Sequence, residues 1–177
     1  MNLYSIALFV HVVGALLLFV TLTVEGVALR QLSQAAARES ARAGAAMLRL
    51  NRIGGPFSAL GVLVPGVYMT VTTWGWVAWI VVALVSWLVI AVLGAVNGIR
   101  ILALDRSSGL LVGIRNPLFL ISWLTRVGIA LGVIFLMTVK PGAVIAVAAI
   151  LVAGVAGGAL GMALAKARPR EREAHVA

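Results

Sequence analysis

LYSIALFVHVVGALLLFVTLTVEGVAL, residues 3–29, is the stretch on which the fold turns. At 1.5 Å of rise per residue it is long enough to cross the ~30 Å of hydrocarbon in a bilayer. His11 and Glu25 are its only side chains that carry charge near neutral pH. No Lys or Arg precedes it, and no small-residue cleavage site leads from it into a polar mature region. A signal peptide needs both, so an uncleaved transmembrane helix is expected.

Four further apolar blocks follow, at residues 56–74, 76–99, 118–139 and 143–165. Each is close to the ~20 residues that span a membrane. Only 11% of the 177 residues are charged, against about a quarter in soluble domains. With 63% hydrophobic residues and a mean hydropathy of +1.13, lipid is the solvent for most of the chain. The expected fold is an all-α, polytopic membrane helix bundle of about five transmembrane helices. It forms a single domain over residues 1–177 of a multi-pass protein of the cell (inner) membrane.

The net charge of +9 has a topological explanation, because the cations sit in the gaps between apolar blocks. Arg30, Arg38, Arg42, Arg49 and Arg52 follow the first block, and Arg100, Arg106 and Arg115 follow the third. Lys166, Arg168, Arg170 and Arg172 follow the fifth. The gaps on the other side hold only Lys140. The positive-inside rule then places the N-terminus outside and the C-terminus in the cytoplasm. Trp74, Trp76 and Trp79 fall at the outer interface, where amphipathic rings belong. No nucleic-acid motif or aromatic-interleaved basic face accompanies the charge, so membrane lipid is the expected partner and nucleic acid is not. The absence of cysteine excludes disulfides, thiolate metal sites and cysteine nucleophiles.

Local signals fit this plan. Pro56 and Pro117 suit helix starts, Asn116 suits the cap of the fourth helix, and Pro65 should kink the second. Ser107, Ser108 and Gly109 read as a helix stop. Residues 30–52, rich in Ala, Arg and Leu, are expected to continue the first helix into the cytoplasm and then lie along the headgroups as an amphipathic loop. There they would bind anionic lipid or a partner or, more plainly, set topology. Residues 166–177 form a basic cytoplasmic tail. The fifth block carries Gly154, Gly157, Gly158 and Gly161, two small-xxx-small pairs suited to tight packing inside the bundle or to a homo-oligomer face. Gly94 and Gly98 in the third helix read as packing residues.

Polar groups within hydrocarbon are costly and need a reason. His11 and Glu25 are fourteen residues apart, as are Arg126 and Lys140. That is almost four helical turns, so each pair lies near one helix face and spans ~21 Å. Helices one and four run antiparallel, which sets Glu25 level with Arg126 and His11 level with Lys140. The inner level reads as a structural ion pair, with Asn97 and Arg100 nearby; its rival is a proton or ion relay. At the outer level, His11 lies roughly 12 Å deep. It is either hydrogen-bonded to a carbonyl or Tyr68, or a ligand or proton-transfer group facing an outer cavity. Lys140, ahead of Pro141 and Gly142, reads on its own as a snorkelling anchor.

His11-Val12-Val13-Gly14 in the first helix and Met137-Thr138-Val139-Lys140-Pro141-Gly142 after the fourth carry a resemblance. They resemble a family of small bacterial predicted integral membrane proteins known as a domain of unknown function. More distantly they are similar to the copper-resistance protein CopD and to HemJ-type protoporphyrinogen oxidases. The HemJ resemblance implies a b-type haem, with His11 and Lys140 at the two ligand positions, and membrane oxidoreductase chemistry. It covers helices one to four. The Trp and aromatic-Gly positions expected after the histidine are Leu16 to Phe19 here, and the second-helix pattern differs. Copper, implied by CopD, asks for softer ligands than His11 and Met137 supply. The sequence itself offers no paired carboxylates, catalytic triad, phosphate loop or zinc motif. Three readings stand: a haem- or tetrapyrrole-binding membrane protein, a non-catalytic scaffold, and a small ion or proton carrier.

Overall fold

Leu3–Ser33 (α1), Arg38–Met69 (α2), Ala78–Arg106 (α3), Pro117–Val139 (α4) and Ala143–Lys166 (α5) are the helices of the computed structural model. It describes residues 2–33, 38–106 and 113–167. Each helix is long and apolar enough to cross a membrane, and no strand occurs among the described residues. The chain is a polytopic, multi-pass membrane protein. The expected stop at Ser107–Gly109 and the tail beyond Ala167 lie outside the described residues.

The second helix departs from expectation. It begins at Arg38, so residues 38–52 are its opening turns, and Pro56 lies inside it. Alanine-rich sequence has high helical propensity, and this stretch finds an apolar partner in α1. Leu48 packs with Ala28, Leu29 and Leu32 in a buried cluster that Ile114 and Phe119 complete. A Cβ on Gly44 would lie 2.8 Å from Leu32 Cγ, so a side chain there would have to displace the buried Leu32. Proline in a helix interior removes one backbone donor. Here that frees the carbonyl of Arg52, a residue that is itself exposed.

α1 and α2 form one antiparallel hairpin, and α4 and α5 form the other. α1 and α2 cross where Gly14 meets Gly61: a Cβ on Gly14 would sit 2.4 Å from the Gly61 carbonyl carbon. The glycines of α5 face α4 in the same way. A Cβ on Gly157 would lie 2.3 Å from the Leu124 carbonyl oxygen, and one on Gly161 2.8 Å from Ile121 Cα. Close backbone approach is how helices gain packing energy in lipid, which gives no hydrophobic drive.

α4 is the hub, packed against α1, α3 and α5. Asn116 Oδ1 caps its start by accepting from the Leu118 N–H at 3.0 Å, with Pro117 in the first turn. Its end is Lys140, in left-handed conformation at φ 51° and ψ 53°. α2 and α3 follow each other in sequence but scarcely touch in space. Two chambers lie between them, one toward the basic end of the bundle and one toward the tryptophan end.

Candidate functional site

The tryptophan-end chamber has a volume of about 560 Å³ and takes lining from α1, α2, α3 and α4. His11 and Lys140 both line it, together with Tyr4, Trp74, Trp76, Trp79 and Trp87. His11 sits one turn before the Gly14–Gly61 crossing, which brings its ring against α2. Its Nδ1–H donates to the Val62 carbonyl oxygen at 2.8 Å. Of the two partners expected, the carbonyl holds the ring and Tyr68 does not. A carbonyl oxygen can only accept, so the proton must be on Nδ1. In the neutral imidazole this leaves Nε2 with its lone pair. Gly66 makes room for the ring: a Cβ there would lie 3.2 Å from two ring atoms.

Lys140 is placed by the other side of the chamber. α2 ends in a single π-helical stretch, Thr70–Trp74, closed by the Gly75 N–H bonding back to the Thr70 carbonyl at 2.8 Å. Gly75 has φ 67°, a conformation that favours glycine. Such π turns recur at functional sites because the extra residue re-aims the side chains around it. Here Trp74 is set between three groups. Its Nε1–H donates to the Tyr4 hydroxyl at 3.2 Å, its ring meets Trp79 edge-on at 6.0 Å, and Lys140 Nζ stands 4.1 Å above its centroid. The structure brings His11 and Lys140 to one chamber and gives each its own partner.

The basic-end chamber has a volume of about 410 Å³, and Leu18, Trp87 and Ile90 line both chambers, forming the waist between them. On its wall Arg126 Nη2–H donates to Glu25 Oε1 across α4 and α1. The two residues are only 4% and 6% exposed. One turn back along α4, Trp123 Nε1–H donates to the Leu22 carbonyl at 2.7 Å, with Gly26 leaving space for the indole. Gly94 leaves space for the guanidinium: a Cβ there would be 3.1 Å from Arg126 Nη1. Asn97 and Arg100 take no part in this pair. Asn97 Nδ2–H donates to Ser122 Oγ at 3.1 Å, joining α3 to α4, and Arg100 is exposed. Gly98 is not a packing residue either, since a Cβ built on it meets nothing within 4 Å.

Sequence reasoning missed Trp74 and Tyr4 as parts of the site that His11 and Lys140 line. The signal was present in the tryptophans near Lys140 at the same predicted interface, but their contact depends on the π turn. No family model, curated protein or solved structure matches the chain.

Proposed function

We propose that the tryptophan-end chamber binds a haem b or a closely related tetrapyrrole, which His11 and Lys140 would hold as ligands. The observation that carries this reading is the His11–Val62 hydrogen bond, which presents an imidazole of fixed tautomer in a chamber lined by aromatic rings. Metal-bound histidines typically donate their other ring N–H in this way to a carbonyl or carboxylate. The chamber size falls within the range of ligand sites, and its lining is apolar with a few converging polar groups. Lys140 adds a second argument. A helix end in left-handed conformation favours glycine, yet this position carries a long basic side chain.

Bound there, a haem iron would supply one-electron chemistry. The protein's own part would be to hold His11 by its Nδ1–H, to line the chamber with tryptophans and to deliver the Lys140 amine. To act as a ligand Lys140 must leave the Trp74 ring and give up its proton, because an ammonium has no lone pair. Arginine would keep the contact with the ring but not the ligand capacity, since it stays protonated.

The test is absorption spectroscopy of the full-length protein titrated with haem. A Soret band should form, His11→Ala should abolish it, and Lys140→Arg should shift it or weaken binding without restoring the wild-type spectrum. Protein that takes up no haem would leave the scaffold reading, in which all four polar residues only hold helices together.

From the distribution of cations we also propose that the chain lies in a bacterial inner membrane with the tryptophan end outside and the basic end in the cytoplasm. A reporter fused after Ala177 should register cytoplasm, and one inserted at Lys140–Gly142 should register the outer side. The reverse pattern would defeat the charge argument.

A further inference from the structure

Four helices surround the tryptophan-end chamber, and three of the four seams between neighbours are packed. α1 meets α2, α1 meets α4, and α4 meets α3, whereas α3 and α2 scarcely touch. The two ends are covered as well. At the outer end Trp74 reaches Tyr4 on α1, Trp79 on α3 and Lys140 after α4, and residues 75–77 carry the chain across from α2 to α3. At the inner end Leu18, Trp87 and Ile90 form the waist. The side left open is the seam between α2 and α3.

That seam lies at the depth of hydrocarbon. Val67 is seven residues before Trp74 and Leu84 eight after Trp76, so each stands roughly 10–12 Å below the tryptophans. Tryptophans belong at an interface, and the hydrocarbon beneath it is about 30 Å thick. Val67 and Leu84 both line the chamber, and their neighbours Val64 and Val85 are exposed, as lipid-facing side chains are. Lys140, at the tryptophan end, is the only Lys, Arg, Asp or Glu in the lining among the described residues. An apolar solute meets no polar barrier at the seam. A charged one would have to shed its hydration there.

We propose that the tryptophan-end chamber is entered sideways from the bilayer, between α2 and α3, and so takes ligands dissolved in the membrane and not ligands dissolved in water. The class this admits is an apolar or amphipathic molecule that partitions into lipid. Its polar groups would stay at the tryptophan level, beside Tyr4 and Lys140. The proposal rests on the reading of this chamber as a ligand site, but not on the ligand being haem. For a tetrapyrrole it means arrival from the lipid and not through the tryptophan mouth.

The absence of cysteine permits a direct measurement. Leu84→Cys carries a nitroxide in the full-length protein, reconstituted in phosphatidylcholine vesicles, and electron paramagnetic resonance reads its collisions with two relaxers. Oxygen concentrates in hydrocarbon, whereas nickel ethylenediaminediacetate stays in water. Labels at Val92, exposed on α3, and at Gly142, exposed in the outer turn, supply the lipid and water references. The Leu84 label should match the Val92 label, with frequent oxygen collisions and loss of those with nickel. Val67→Trp should narrow the seam, lower the oxygen collisions and slow haem transfer from vesicles several-fold, with the Soret band unmoved. A Leu84 label that meets nickel as the Gly142 label does would put the entrance on the water side and overturn the proposal. So would a label shielded from both relaxers, which would make the chamber sealed. Oxygen collisions unchanged by Val67→Trp would overturn it too, by placing the entrance elsewhere. Should Val67→Trp fail to fold, the Leu84 label decides alone. Failure of every variant to form a Soret band would end the haem reading, while the collisions still decide the route.

Discussion

The two ends of the bundle treat their buried polar groups differently. At the basic end, Glu25 and Arg126 answer each other directly, charge against charge, between the central helix and α1. At the tryptophan end, His11 is held by a backbone carbonyl and Lys140 by the face of a ring. Neither of those partners carries a charge. A pair that neutralises itself is bound to the fold. Groups held on one side only keep donor or acceptor capacity for something else. In the proposed reading, the fold depends chiefly on the first rung, and ligand chemistry chiefly on the second.

The largest effect that tests this contrast lies at Glu25 and Arg126. Replacing either by alanine strands its partner's charge in a site of low dielectric, at a cost of about 3–5 kcal/mol. Reversible unfolding in bicelles measures it. The double swap, Glu25→Arg with Arg126→Glu, should recover part of the loss. Single variants that unfold within 1 kcal/mol of wild type, on the order of an ordinary hydrogen bond, would remove the structural role assigned to the pair.

His11→Ala is the matching change at the other end, and its effect on stability should be several-fold smaller. It deletes one hydrogen bond to a carbonyl, worth about 0.5–1.5 kcal/mol, in a residue that is only half-buried. The same substitution should remove haem uptake completely. If it destabilised the protein as much as Arg126→Ala does, the division between a structural and a ligand rung would collapse.

The sequence made the spans and the two levels legible for a simple reason: hydrocarbon penalises every polar group, so each one that survives is informative. The common fourteen-residue spacing was enough to set Glu25 opposite Arg126 before any coordinates. What hydropathy cannot see is helix that does not need to be apolar. The first turns of α2 are rich in Ala and Arg and pack on Leu29 and Leu32, so the helix starts at Arg38 and not at Pro56. Nor does pattern reveal which glycines close a contact and which hold a space open. Gly98 and Gly157 look alike in sequence and differ only in what stands opposite. The separation of α2 from α3, on which both chambers depend, follows from how each hairpin packs and leaves no local mark.

The smallest effect expected is also the most discriminating, and it concerns Lys140. A non-glycine residue in left-handed conformation costs about 1–2 kcal/mol, and Lys140 holds φ 51°. Its ammonium over Trp74 returns about 0.5–1 kcal/mol at an exposed site. Lys140→Gly relieves the first and loses the second, so its stability should lie between unchanged and about 1.5 kcal/mol above wild type. Lys140→Ala keeps the strain and loses the contact, so it should be less stable by about 0.5–1 kcal/mol. Lys140→Arg keeps both and should match wild type. A glycine variant less stable than the alanine variant would show that the turn is not left-handed and that Lys140 terminates α4 differently. The expected order, glycine at or above lysine and both above alanine, would show a lysine kept where the backbone favours glycine. Stability would not explain that choice; the proposed ligand role of the side chain in the chamber would.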